Sequence, residues 1–189
     1  MDLDGLQQAL VSLGAVLAER DLTFEVVAIG GGGLLLIGII ERPTKDLDLV
    51  ALREGDQLLP LGPLPPALQE AVEDVARLFG LPENWMNGGP GLLLRFGLPA
   101  GFLARLERRV YGGLGLSLAS RFDQIHLKLY AAVDDRPGGK HHKDLERLSP
   151  TADELRAAAQ WARTHDLSAG FAMVLDDVLR TFGVENDSP

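Results

Sequence analysis

A chain of 189 residues with 46% apolar and 24% charged side chains can bury a core, which excludes a disordered tail. It contains no cysteine, so disulfides, thiolate metal sites and cysteine nucleophiles are excluded together. Eighteen basic against 27 acidic residues, a net charge of −9, argue against sequence-independent binding to nucleic acid or anionic membrane. The distribution is uneven. Residues 95–147 hold ten basic and six acidic side chains, which reads either as solvated surface or as a local site for a phosphorylated ligand. No apolar run is long enough to cross a bilayer, and Asp2 and Asp4 are unlike the basic start of a signal peptide. The expectation is a cytoplasmic protein with no membrane partner.

Leu3, Leu6, Leu10, Leu13 and Leu17 recur at spacings of three and four and predict an opening amphipathic helix. Phe24 to Ile29 has the length and composition of a strand, broken by the glycines at 30–33. Leu34 to Ile40 is apolar throughout and reads as a short buried helix. Arg42-Pro43-Thr44-Lys45 is a turn, and Asp46 to Ala51 alternates as a half-buried strand. The proline-rich Leu58 to Pro66 is expected to be a loop. A helix follows with Leu68, Val72, Val75 and Phe79 inward and Gly80 as its stop.

Asn87 to Gly91 is a second glycine-rich turn, and Leu92 to Phe96 is expected to be a strand. Strands are also expected from about residue 105 to 111 and at Leu114 to Ala119. Ser120-x-x-Asp123 then opens a helix with Phe122, Ile125, Leu129 and Val133 buried and Lys128 at the edge of that stripe. Helices at about 141–148, after Thr151-x-x-Glu154, and around Phe171 to Phe182 complete the chain, with residues 184–189 frayed. The fold class expected is α/β (α+β): a mixed β-sheet flanked by helices, with a helical C-terminal part. The boundary expected lies at 150, with a catalytic domain over 1–150 and a helical extension over 151–189.

The glycines do not form G-x-G-x-x-G, because Leu35 and Leu36 stand where a glycine is needed, and no Gly-Lys-Ser/Thr follows for a P-loop. They offer a run of unshielded backbone N–H groups at a helix start, which suits phosphate oxygens; close packing of that turn is the alternative. Asp46-x-Asp48 places two carboxylates on one face of a strand, with Cα atoms about 6.6 Å apart. Carboxylates so placed can share hard cations such as Mg²⁺, and two such ions serve in-line nucleotidyl transfer. By itself the motif is weak, since Asp2-x-Asp4 is a second copy.

Residues 24–51, FEVVAIGGGGLLLIGIIERPTKDLDLVA, resemble the signature of the nucleotidyltransferase superfamily, in which a strand ending in glycines is followed by a strand bearing Asp-x-Asp. Arg42-x-Thr44-x-Asp46-x-Asp48 is similar to one branch, the abortive-infection toxins of the AbiEii kind and their small relatives. Residues 125–148, with Lys128 and Lys143-Asp144-Leu145, resemble that branch's later motifs. The resemblance implies a nucleotidyltransferase-like sheet in which Gly30, Gly31 and Gly32 cradle a nucleoside triphosphate and Asp46 and Asp48 are catalytic ligands of two Mg²⁺ ions. Lys128 approaches the phosphates, and Asp144 matches the late catalytic aspartate. Arg42, Thr44 and Lys45 belong to the nucleotide-binding segment, with Arg136 and Lys140 beside a Pro-Gly-Gly hinge as further phosphate candidates. The implied acceptor is RNA or a protein, and the implied partner an antitoxin.

The four consecutive glycines depart from the usual pattern, and the third carboxylate used by many members is left to Glu107 or Asp144. A degenerate member that binds or regulates without transfer is the alternative. Among other candidates, His141 and His142 read as a solvated helix start and His126 and His165 as surface or capping residues. Trp85, Met86 and Trp161 read as packing residues. Arg105, Arg108 and Arg109 could guide a nucleotide or form ion pairs around Glu107.

Overall fold

A computed structural model describes residues 1–185. The chain is a mixed α/β protein that divides into two compact units, Met1–Ser120 and the helical part from Arg121 onward. The division falls between a strand and a helix at 120, not at the expected position of 150.

In the first unit, α1 (Leu3–Glu19) is capped by Asp2, whose carboxylate accepts from Gly5 N, and its leucines at 6, 10, 13 and 17 are fully buried. The strands are β1 (Phe24–Ile29), β2 (Leu47–Glu54), β3 (Gln57–Pro60), β4 (Met86–Asn87), β5 (Glu107–Tyr111) and β6 (Leu114–Leu118). They form one six-stranded mixed sheet in the order β3-β2-β1-β6-β5, with β4 beside the start of β2. Pairing is antiparallel for β1–β2, β2–β3 and β5–β6, and parallel for β1–β6 and β2–β4. Val26, Ala28, Leu49, Leu114, Leu116 and Leu118 are fully buried on one face. The helix α1 touches β5, β6 and α3 (Pro66–Phe79), which ends as expected at Gly80 with φ 63°.

One irregularity controls what the other face carries. Val27 pairs with Ala51 but Ala28 pairs with Leu49, so Val50 is an extra residue in β2. Such a bulge shifts the alternation by one position. As a result Asp48 and Arg53, an odd number of residues apart, lie on the same side of the sheet.

Three elements differ from the sequence expectations. The glycines do not precede a helix over 34–40; they are its first turn, in α2 (Gly30–Leu36). Residues 57–60 are a strand, because Gly55 at φ 57° with Asp56 closes a two-residue hairpin that the following prolines hide. Residues 92–96 are not a strand. The stretch Gly89–Leu92 forms a 3₁₀ turn and α4 (Leu93–Phe96) a single helical turn, leaving Leu92 and Phe96 exposed.

The second unit contains α5 (Arg121–Val133), α6 (Lys140–Leu148), α7 (Ala152–Arg163) and α8 (Ala169–Thr181). Thr151 and Glu154 form the expected reciprocal capping box, and Arg121 adds an ion pair to Glu154. That guanidinium holds the Glu154 carboxyl below its ordinary value. Val184 is buried and its N–H donates to Leu179 O, so the chain is packed that far. Of the stretch expected to fray, residues 186–189 lie outside the described residues. No helix among the described residues is long and apolar enough to cross a membrane.

Candidate active site

The glycine turn and the Arg42–Asp48 segment fit together residue by residue. Gly30 has φ 72°, the left-handed region in which a side chain is strained, and a Cβ on it would stand 2.8 Å from Asp48 Oδ2. A Cβ on Gly31 would meet Thr44 Oγ1 at 3.2 Å and the Arg42 guanidinium at 3.7 Å. On Gly32 it would meet the Leu47 side chain at 2.7 Å and Asp46 O at 2.9 Å. Three consecutive glycines thus each admit a different part of the next segment.

That segment is held from within. Thr44 is buried; its hydroxyl donates to Asp46 O at 2.9 Å and its N–H to Met1 O at 2.9 Å. Asp46 is half-buried and immediately precedes β2 rather than lying in it. Asp48, also half-buried, pairs in register with Ile29 at the end of β1. Arg42 and Lys45 are exposed. The first unit therefore gathers Gly30, Gly31, Gly32, Arg42, Thr44, Asp46 and Asp48 around one turn.

Asn87 joins them, and sequence reasoning missed it. Strand β4 lies parallel to β2 with Asn87 opposite Asp48, and Asn87 Nδ2 stands 3.4 Å from Asp48 Oδ1. Gly89 N donates to Asn87 Oδ1 at 2.9 Å and fixes the amide's orientation. The only signal was an asparagine before two glycines, which reads as a turn.

The register also locates the third-carboxylate candidates. Glu107 pairs with Leu118, which pairs with Ala28, so it lies on the row of Leu49 and on the opposite face from Asp48. Its carboxylate accepts from Arg109. In the row of Ile29 and Asp48, β6 is followed by Ala119, whose N–H donates to Ala28 O. No group of three or more His, Asp or Glu converges among the described residues. Two hard carboxylate oxygens beside an amide still suit Mg²⁺, which commonly takes one or two protein carboxylates and completes its shell with water and substrate phosphates.

No protein-family model matches the chain, and no curated protein or solved structure matches it. The likeness to nucleotidyltransferases rests on the two sequence blocks alone.

Lys128 and Asp144 belong to the second unit. Lys128 does not sit at the edge of the buried stripe of α5 but within its buried part: its side chain is 6% exposed and its Nζ lies 2.8 Å from Asp144 Oδ2, itself 1% exposed. Arg136 and Lys140 are exposed around the turn between α5 and α6. Asp135 organises that turn by accepting the N–H groups of Arg136 and His141, which hold its carboxyl below the ordinary value.

His141 and His142 are not a solvated helix start. His142 is buried, and the Nδ1 atoms of both rings are buried without a hydrogen-bond partner. Burial, reinforced by Lys128 and Lys140, pushes His141 down to about 4. Nor is His126 at the surface. It is buried beside Phe122 and Trp161. Trp85 packs as expected, fully buried with its indole N–H on Val72 O at 3.0 Å.

Proposed function

We propose that the first unit carries a Mg²⁺-dependent nucleotidyltransferase site, in which an acceptor hydroxyl attacks the α-phosphorus of a nucleoside triphosphate. The observation that carries this reading is the apposition of Gly30 and Asp48, which sets a half-buried glycine turn against the Asp48 carboxylate. Asp46 and Asp48 would hold the metal, and Asn87 would keep Asp48 turned toward the glycine turn. When bound, Mg²⁺ would neutralise the triphosphate and stabilise the charge that develops in the transfer. The Gly30–Gly32 backbone would orient the phosphates, with Arg42, Thr44 and Lys45 on the adjoining segment. The new acceptor O–P bond forms as the bond to pyrophosphate breaks, and the hydroxyl proton passes to solvent. An RNA or protein acceptor, and the role of a toxin paired with an antitoxin, follow from the resemblance only.

A second reading has one observation in its favour. Ala119, the residue after β6, falls in the row of Asp48 with its N–H on Ala28 O and brings no carboxylate there, and this favours a member of the fold that binds nucleotide without transferring it. Calorimetric titration of each of the four NTPs, with and without Mg²⁺, tests the first reading. Saturable Mg²⁺-dependent binding, lost in Asp46→Asn/Asp48→Asn, supports the site, and release of pyrophosphate on adding acceptor separates transferase from binder. Absence of NTP binding with the fold intact rejects both.

A further inference from the structure

The sheet of the first unit ends at β3 on one side and at β5 on the other. An open edge presents unpaired N–H and C=O groups, and proteins blunt it with short strands, proline, lysine, bulges or a covering element. Strand β3 is blunted: it is four residues long and closes on Pro60. Strand β5 is not. Glu107 to Tyr111 pair with β6 residue for residue, without a bulge, and contain neither proline nor lysine.

The direction of its backbone groups follows from the neighbouring strands. Phe24 N donates to Gly113 O and Ala119 N to Ala28 O, so the odd-numbered residues of β6 turn their peptide groups to β1 and the even-numbered ones to β5. Leu114, Leu116 and Leu118 are therefore the hydrogen-bonded partners of Tyr111, Arg109 and Glu107. Arg108 and Val110 turn their peptide groups outward, and among the described residues neither has a backbone partner there. Both residues are exposed, Val110 by 58%. Beside the strand, α1 rests against Tyr111 through Gly14, and Val11, one turn earlier, is equally exposed.

We propose that β5 pairs antiparallel with β5 of a second copy of this chain about a two-fold axis at Arg108, joining the two sheets edge to edge. Charge selects that register. An axis at Glu107 or Arg109 would set identical charges opposite each other at the closest, non-hydrogen-bonded positions, which destabilises paired strands. An axis at Val110 would oppose Arg108 to Gly112 in the hairpin turn. With the axis at Arg108, Glu107 faces the partner's Arg109 and Arg109 the partner's Glu107. No unmatched charge is needed: Glu107 and Arg109 pair within the strand at 2.7 Å, and the second copy lays the same pair alongside in reverse, so the four charges alternate in sign. Arg108 meets its own copy, but its guanidinium is held away from the edge. It reaches back across β6 to the Glu25 carboxylate, passing over Gly115, where a Cβ would overlap that carboxylate. Val110 packs against the partner's Leu106 and donates its N–H to that residue's C=O, while the two Arg108 backbones exchange N–H···O=C bonds. The inference stands on the sheet edge alone and not on the reading of Asp46 and Asp48.

Sedimentation equilibrium of the whole chain over a range of concentrations is expected to give twice the mass of one chain. Val110→Pro removes an N–H that faces outward and leaves the ladder to β6 intact, so it is expected to abolish the dimer with the circular dichroism unchanged. Glu107→Arg and Arg109→Glu, each alone, are expected to weaken self-association tenfold or more, and their equimolar mixture to recover the dimer, a recovery that a folding defect does not produce. Arg109 also donates to Leu36 O, so if Arg109→Glu unfolds, Val110→Pro decides. A parent chain that stays monomeric at every concentration overturns the proposal. A dimer that survives Val110→Pro overturns it by placing the interface elsewhere, and folded charge variants that do not recover on mixing overturn it by rejecting the register.

Discussion

Asp48 and Gly30 are linked by a steric condition: the carboxylate lies where a side chain on the glycine would be, 2.8 Å from the position of a Cβ. Gly30→Ala is therefore expected to cost about 1–2 kcal/mol for the left-handed backbone and, in addition, to displace Asp48. Gly31→Ala meets only Thr44 Oγ1 at 3.2 Å and should be milder. Urea unfolding and Mg²⁺-NTP calorimetry on both variants check the order. Equal binding by Gly30→Ala and the parent chain would contradict it.

Gly14 gives a case in which local propensity and tertiary contact disagree. In the middle of a helix, alanine is favoured over glycine by about 1 kcal/mol. Gly14, however, accepts from Gly113 N at 2.9 Å, and a Cβ on it would overlap the carbonyl of Tyr111. We expect Gly14→Ala to destabilise by about 1–3 kcal/mol, the usual cost of overpacking. Gly170→Ala in α8, where nothing lies within 4 Å, should be neutral to stabilising by up to about 1 kcal/mol. Thermal unfolding of the two variants should move in opposite directions.

The Lys128–Asp144 pair is buried on both sides, so removing one charge strands the other. Lys128→Met is expected to cost about 3–5 kcal/mol at neutral pH, and Asp144→Leu a similar amount. The double variant should cost much less than the sum, because two apolar groups of similar volume need no partner. Strict additivity in urea unfolding would show that the two residues do not act as a pair.

His141 makes stability depend on pH in a window of its own. Its folded value is lowered to about 4 from an ordinary 6.5, so the native state favours the neutral ring. The contribution is fully present above about pH 6.5 and is lost as pH falls toward 4, since the unfolded chain takes up the proton first. The slope is at most about 1.4 kcal/mol per pH unit, and the exposed part of the ring reduces it. Lys128, Lys140, Asp135 and Asp144 set the field at the ring, so His141→Gln rather than a change in those groups is the clean test. The variant should lose less stability than the parent between pH 6.5 and 4.5. Glu25 and Glu154, whose folded values are depressed, weaken the fold only below their ordinary carboxyl range and leave that window clear.

Much of the architecture was legible in the sequence because it depends on short-range spacing. The leucines of α1, the run Phe24 to Ile29, the Thr151–Glu154 capping box and the stop at Gly80 each report a period or a cap that needs no partner. What the sequence could not determine was which side of the sheet a residue joins. The extra residue Val50 is defined only by the pairing of β2 with β1, and it alone puts Arg53 on the side of Asp48. The pairing of β5 with β6 sends Glu107 to the opposite face, and that of β4 with β2 brings Asn87 beside Asp48 from a strand of two residues. Lys128 was misplaced because its burial depends on Asp144, sixteen positions away on another helix. Periodicity is a property of one segment, whereas facing and charge burial are properties of two, and only the folded chain supplies the second.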